Sequence, residues 1–424
     1  MAQHQERHIT TAISSVLPAE RIRSLAREVG AVKRERKVDV ACLVQALVLG
    51  FFAGRQRTLS GLRRAYLLLS GQNLARSSFH KRFTKGLGTL LRRLVDDALC
   101  ATELAVKATG ALSAFREVLA VDSCITKLHS SLASAYPGAR HPASVKLTLV
   151  TNVLGRKSRS LKLSAGRRSD VHLLDYDLPL EGRLLIFDLG FYSARVFDRI
   201  LQRNGSFLTR ARSAINPRVE RSVLPQHQWL EGKNLRDHQH EISGDIFDVE
   251  VELPLVRRDL SKHTLQLRII GIWNKETRNW HRYVTNVPAE QLPARHVSAV
   301  YSARWEIELV FRELQSDYRL DQLPTRNAHI VEALLLAATL SLAVSRSLHE
   351  VVRRKLRSRP HELPCDRWAR IFAALSGQIL ALLAAPSEKL EEKLLRLMCR
   401  DAPDPNRSRP SLPERVQNGS VAFA

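Results

Sequence analysis

The run Leu184-Leu-Ile-Phe is wholly apolar and is closed by Asp188. A short apolar run of this kind suits a strand buried on both faces. A second run, Val118-Leu-Ala-Val, is closed by Asp122 and is equally rich in β-formers. Two such strands predict a central sheet covered by helices, in a chain whose 424 residues allow about two or three domains.

The neighbouring segments extend this sheet. Ser144 to Leu154 alternates as a half-buried strand does, and Ser160-Leu-Lys-Leu-Ser164 gives a third strand, so the first three could form a meander. Ser193 to Arg203 predicts an amphipathic helix stopped at Asn204-Gly205, and Ser206-Phe-Leu-Thr-Arg210 is a fifth strand. From about 217 to 287 the pattern is β-rich: Asp245 to Leu253 alternates, as does Thr264 to Trp273, with a hairpin around Lys275 leading to a strand over Trp280–Val287. This stretch is expected to be an insertion. One long helix is predicted from about Pro293 to Gln315.

Helices are expected on both flanks. The predicted organisation is a helical region over 1–112, an α/β region over 113–325 interrupted by the insertion, a helical region over 326–400 and a disordered tail over 401–424. The apolar runs Val40–Ala53 and Val331–Val344 are shorter than the roughly 20 residues a bilayer needs and are read as core helices, with no membrane partner. The start, MAQHQERHITTAISS, lacks the pattern of a secretory leader. Five cysteines without a C-x-x-C pair point away from disulfides and zinc, toward a reducing compartment.

Charge narrows the partner. Sixty-six Lys and Arg against 42 Asp and Glu leave a surplus of +24, which on a folding chain implies a polyanion, nucleic acid foremost. The first 100 residues hold 18 basic and 7 acidic residues, a surplus of 11. Within them RSSFHKRF reads as a short basic helix capped by Ser77-Ser78, which makes Arg76, His80, Lys81 and Arg82 candidate DNA contacts or simply a solvated face.

Chemistry is expected where acids break an apolar context. Asp122 and Asp188 follow buried strands, and Glu308 lies in the long helix. Three such carboxylates could hold two Mg²⁺ ions about 3.5–4 Å apart, the arrangement that stabilises both oxygens of an in-line phosphoryl displacement. The same residues could do less: Asp122 and Asp188 could open turns, and Glu308 could make an ordinary pair with Arg304.

The local words favour the first reading. Tyr301-x-x-Arg304-x-x-x-Glu308, spelled YSARWEIELVFRELQ, resembles the signature helix of the DDE transposases of the insertion-sequence-four family. VDSCITKL and IFDLGFYS resemble the family's two Asp motifs, and the likeness spans roughly 117–325. It implies a ribonuclease H-like core with a β-rich insertion, Asp122, Asp188 and Glu308 as catalytic metal ligands for two Mg²⁺ (or Mn²⁺), and Tyr301 and Arg304 on the DNA backbone. It also implies double-stranded DNA partners (terminal inverted repeats and target), a homodimer in the synaptic complex, and work at the nucleoid in the cytoplasm. Two positions depart from the family pattern. Gln315 stands where the signature has Lys, with Arg312 one turn earlier as a substitute, and Leu189 follows the second Asp.

Lys146, Arg167, Arg168, Arg210 and Arg212 flank the expected strand ends as candidate phosphate contacts. Trp229, Trp273 and Trp280 in the insertion are either hairpin packing or a stacking platform for a flipped base, and Trp305 is expected in the core. Rival readings are an inactive transposase-derived DNA-binding protein and a metal-dependent nuclease without strand transfer.

Overall fold

The computed structural model describes residues 9–32, 38–50, 58–100, 110–154, 157–257, 260–317, 320, 323, 325–357 and 363–406. The ends of two expected segments, 51–53 of the first apolar helix and 407–424 of the tail, lie outside the described residues.

The core begins with the strands β1 (Glu117–Lys127), β2 (Ser144–Asn152) and β3 (Lys157–Ala165), an antiparallel meander. β4 (Arg183–Phe187) then pairs parallel to β1, and β5 (Ser206–Arg210) parallel to β4. β6 (Val219–Ser222), β7 (Ile246–Val256), β8 (Lys262–Asn274) and β9 (Asn279–Thr285) follow. β9 pairs with β5, so the β-rich segment builds no sheet of its own. It extends the first one into nine strands, in the order β3-β2-β1-β4-β5-β9-β8-β7-β6.

This is the ribonuclease H-like mixed sheet that the resemblance implies, and it separates two cores. Val118, Ala120 and Ile186 face a helical core, while Leu119, Val121, Leu185 and Phe187 face a second core built with α7 (Ala194–Leu201) and β7 to β9. Strand alternation makes the division: residue parity assigns each side chain to one layer. Helix α7 ends through Asn204, at φ 52°, and Gly205, whose Cβ position lies 2.9 Å from Ile200 and Leu180, so only glycine fits.

Two strand expectations are corrected. β1 runs on past Asp122, which therefore sits mid-strand. β2 is buried along its whole length, because its polar residues meet partners under cover: Thr148 bonds Ser123, and Asn152 bonds Glu117. The alternation in its sequence reflects two kinds of buried neighbour, not a wet face.

The helical core gathers α1 (Ile9–Val16), α2 (Ala19–Glu28), α3 (Val40–Gly50), α4 (Leu59–Ser70) and α6 (Lys85–Cys100) around α10 (Ala328–Leu356), with α11 (Cys365–Ala384) and α12 (Glu388–Asp401). Helix α10 has 29 residues, longer than its apolar run, and is long and apolar enough to cross a bilayer, but the protein itself buries it. The basic helix α5 spans only Arg76–His80; Ala75 precedes it, and Ser77 and Ser78 lie inside it rather than capping it.

The predicted long helix is also revised. It is α8 (Ala294–Ser302) and α9 (Trp305–Arg312), followed by a wide π-type turn over Glu313–Asp317. Between α8 and α9 the amides of Ala303, Arg304, Glu306 and Ile307 each bond the carbonyl three residues back, at 3.0–3.1 Å. The winding tightens there without reversing, as a 3₁₀ stretch does.

Candidate active site

The strand register builds the first half of the site. Val121 is paired with Phe187, so the next residues, Asp122 and Asp188, emerge side by side from adjacent parallel strands. Both have even parity, like Ala120 and Ile186, and so project toward the helical core. Helix α9 lies on that side, anchored by Ile307, Val310 and Phe311, which carries Glu308 over the strands.

Arg304 closes the site. Its Nη1 donates to Asp122 Oδ2 at 3.2 Å, and its Nη2 donates to Glu308 Oε1 at 2.5 Å. Asp122 Oδ1 accepts from the Ser123 amide, and Asp188 Oδ1 from the Leu189 amide, both at 2.7 Å. Burial pushes the Asp122 carboxyl up to about 6, with Glu308 and Asp188 adding to the rise and the Ser123 amide and Arg304 opposing it. Burial likewise pushes the Tyr301 phenol up to about 12; its ring lies 5.2 Å from that of Tyr283, with the Arg304 guanidinium 5.9 Å from its centre.

The donor set fits a hard divalent cation in kind, being made of carboxylate oxygens. Among the described residues, however, no three His, Cys, Asp or Glu side chains are drawn close enough to hold a metal ion, and Arg304 supplies the positive charge between two of the three carboxylates.

The other expected contacts divide. Arg210 is exposed at the end of β5, opposite Tyr283 and close enough to Tyr301 and His281 to act on them electrostatically. Arg312 is exposed, 5.8 Å over the Trp305 ring. Arg76, Lys81 and Arg82 are exposed on α5 and the turn after it. Lys146 is corrected: it is buried in β2, and its ammonium is held by Asp170 at 2.9 Å and the Arg168 carbonyl at 2.7 Å, so no phosphate reaches it. Gln315 is half-buried in the π-type turn, beside the Cys124 thiol, one step along β1 from Asp122 on the same face. Trp305 is corrected too, being 47% exposed on the outer side of α9. Trp273 and Trp280 pack edge to face at 5.4 Å across the hairpin, and Trp229 lies under Lys233.

Two features escaped the sequence reading: the grip of Arg304 on Asp122, and the contact of Gln315 with Cys124. Pairs this distant in sequence leave no local signal.

Residues 113–344, more than half of the chain, match the family described as a transposase DDE domain. The transposase of insertion sequence element IS231C from Bacillus thuringiensis subsp. berliner is 24% identical over 359 residues, covering 74% of this chain and 72% of that protein. The transposase of IS1151 from Clostridium perfringens is 20% identical over 368 residues, covering 74% and 75%. Among solved structures, the piggyBac transposase in its synaptic complex with hairpin DNA superposes with a TM-score of 0.50 at 10% identity, over 96% of this chain and 87% of that one. That likeness supports the fold alone. With the family match, the two Asp motifs and the Tyr-Arg-Glu helix in one place, the chain belongs to the DDE transposases of the insertion-sequence-four group, DNA-cleaving and strand-transferring enzymes that depend on a divalent metal ion.

Proposed function

We propose that Asp122, Asp188 and Glu308 are the carboxylates with which this transposase cuts the ends of an insertion sequence and joins them to target DNA. The observation that carries the reading is the pairing of Val121 with Phe187, which sets two carboxylates side by side beneath the helix bearing the third. Two Mg²⁺ ions, or Mn²⁺ in their place, would supply Lewis-acid stabilisation of the attacking and leaving oxygens when bound. Asp122 and Asp188 serve from the rigid sheet and Glu308 from α9, so the strands fix two donors and the helix brings the third. Tyr301 is near enough to Asp188 and Arg210 to feel both charges, and Arg312 follows Glu308 by one turn of α9, so these are donors a phosphate backbone could meet. Water cleaves the phosphodiester at the element's end, and the freed 3′-OH attacks a target phosphodiester in a second displacement, with the strand's own 3′ oxygen as leaving group.

The helices of 1–112 would grip DNA, and those of 326–400 would serve pairing of two protomers, since terminal inverted repeats come as pairs. The chain would then work at the nucleoid. The test is a duplex carrying the element's own terminal repeats, incubated with the full chain and Mg²⁺. Cut and joined products are expected, and Asp122→Asn should reduce both by about a thousandfold or more. Unchanged cleavage in that variant would overturn the triad. Cutting without joining would identify a nuclease, and binding without cutting a DNA-binding protein.

A further inference from the structure

Arg304 joins two carboxylates that belong to different layers. Asp122 comes from the sheet and Glu308 from the helix, and one guanidinium holds both, with side-chain exposures of 17% for Arg304, 24% for Asp122 and 29% for Glu308. Its third donor, Nε, is buried without a hydrogen-bond partner. The residue sits in the tightened winding between α8 and α9, where the amides of Ala303, Arg304, Glu306 and Ile307 reach back three residues. Such stretches mark places where a helix can change its winding.

We propose that Arg304 is a positioning residue that acts as a built-in counter-cation: in the DNA-free chain it holds Asp122 and Glu308 together, and it yields them when a DNA phosphate offers it a better partner. The proposal rests on the reading of these carboxylates as metal ligands. A divalent cation held by Asp122 and Glu308 would compete with Arg304 for their carboxylates, and two cations cannot share them cheaply. A phosphate accepts the forked donors of an arginine as well as a carboxylate does. Transfer of Arg304 to phosphate would engage its idle Nε and free both carboxylates in one move. Metal uptake is thereby tied to DNA, and by reciprocity metal tightens DNA by the same factor. An enzyme built this way keeps its cutting centre closed until its substrate is in hand.

The test measures Mn²⁺ binding to the full chain by the electron paramagnetic resonance of free Mn²⁺, with no turnover required. Duplex DNA should tighten Mn²⁺ binding to the wild type by about tenfold, with the Asp122→Asn chain on the same DNA as the baseline for Mn²⁺ held by DNA itself. Arg304→Gln should bind Mn²⁺ without DNA about tenfold more tightly than the wild type does, and DNA should then add little. Arg304→Lys, which keeps the charge but loses the fork, should fall between the wild type and Arg304→Gln. A purely structural arginine would shift the melting temperature without this gain in affinity. Equal or weaker Mn²⁺ binding by folded Arg304→Gln would overturn the proposal. So would a wild type whose affinity ignores DNA, and that comparison needs no variant. If Asp122→Asn binds Mn²⁺ as the wild type does under every condition, the carboxylate reading itself fails instead.

Discussion

An aspartate exposed to water titrates near 3.8, but burial in β1 raises Asp122 to about 6. The folded chain therefore keeps a proton that the unfolded chain releases. Stability from this group is complete below about 3.8 and lost as pH climbs through about 6. Asp122→Asn should accordingly melt at a higher temperature than the wild type above pH 6, and the gap should close toward pH 4, as thermal unfolding across that range would record. A site residue that weakens the fold at neutral pH is the expected signature of a group kept for chemistry. Lys146 makes the opposite case. Its ammonium neutralises Asp170 under cover, so Lys146→Met should destabilise the chain by about 3 kcal/mol while leaving the affinity for DNA unchanged. Urea unfolding beside a DNA titration separates the two effects, and a loss of DNA affinity at unchanged stability would return Lys146 to the interface. The sequence could not tell these roles apart. A lysine alternating with Val and Leu reads as solvent-facing until its partner, 24 residues away, is known.

At the scale of elements, four strands are stitched together at the end of β1 away from the site. Glu117 opens β1 and accepts from Arg183 of β4 at 2.6 Å, from Arg159 of β3 at 2.9 Å and from Asn152 of β2 at 3.0 Å. Burial opposes its charge, but these bonds outweigh burial and hold its carboxyl below the ordinary 4.5. Its contribution to stability is present above 4.5 and is lost as pH falls through the lowered value. Glu117→Gln should thus unfold more easily at neutral pH, by about 3 kcal/mol, and its stability should fall less steeply in acid than that of the wild type. Acid titrations followed by circular dichroism would decide it, and parallel curves would exclude the stitch. Period-two patterns made the strands legible because a strand's faces are written residue by residue. The break between α8 and α9 was not legible, since no Gly or Pro lies between Pro293 and Asp317. Its cause is tertiary: Ala303 is fully buried, and Arg304 is drawn to a strand 182 residues earlier. The two Asp motifs were visible as words, yet their common level came only from the register of β1 against β4.

For the molecule as a whole, the charge has a geography. The carboxylates lie between the sheet and the helical core, while most of the described Lys and Arg of the N-terminal helices are exposed. Binding of a basic surface to duplex DNA releases condensed counterions, and the slope of log affinity against log salt counts the phosphates neutralised at about 0.9 per contact. Arg76, Lys81 and Arg82 are exposed together within seven residues, on α5 and the turn that follows it. If all three meet phosphates, replacing them by alanine should flatten that slope by about 2 to 3 and weaken binding to unrelated sequences as much as to terminal repeats, since phosphate contacts carry no base information. Fluorescence anisotropy at several salt concentrations on both kinds of duplex measures both quantities at once. A slope that does not move would make these residues a solvated face and shift the search for the grip to the exposed Arg210 and Arg312. A loss confined to terminal repeats would mean instead that α5 reads bases.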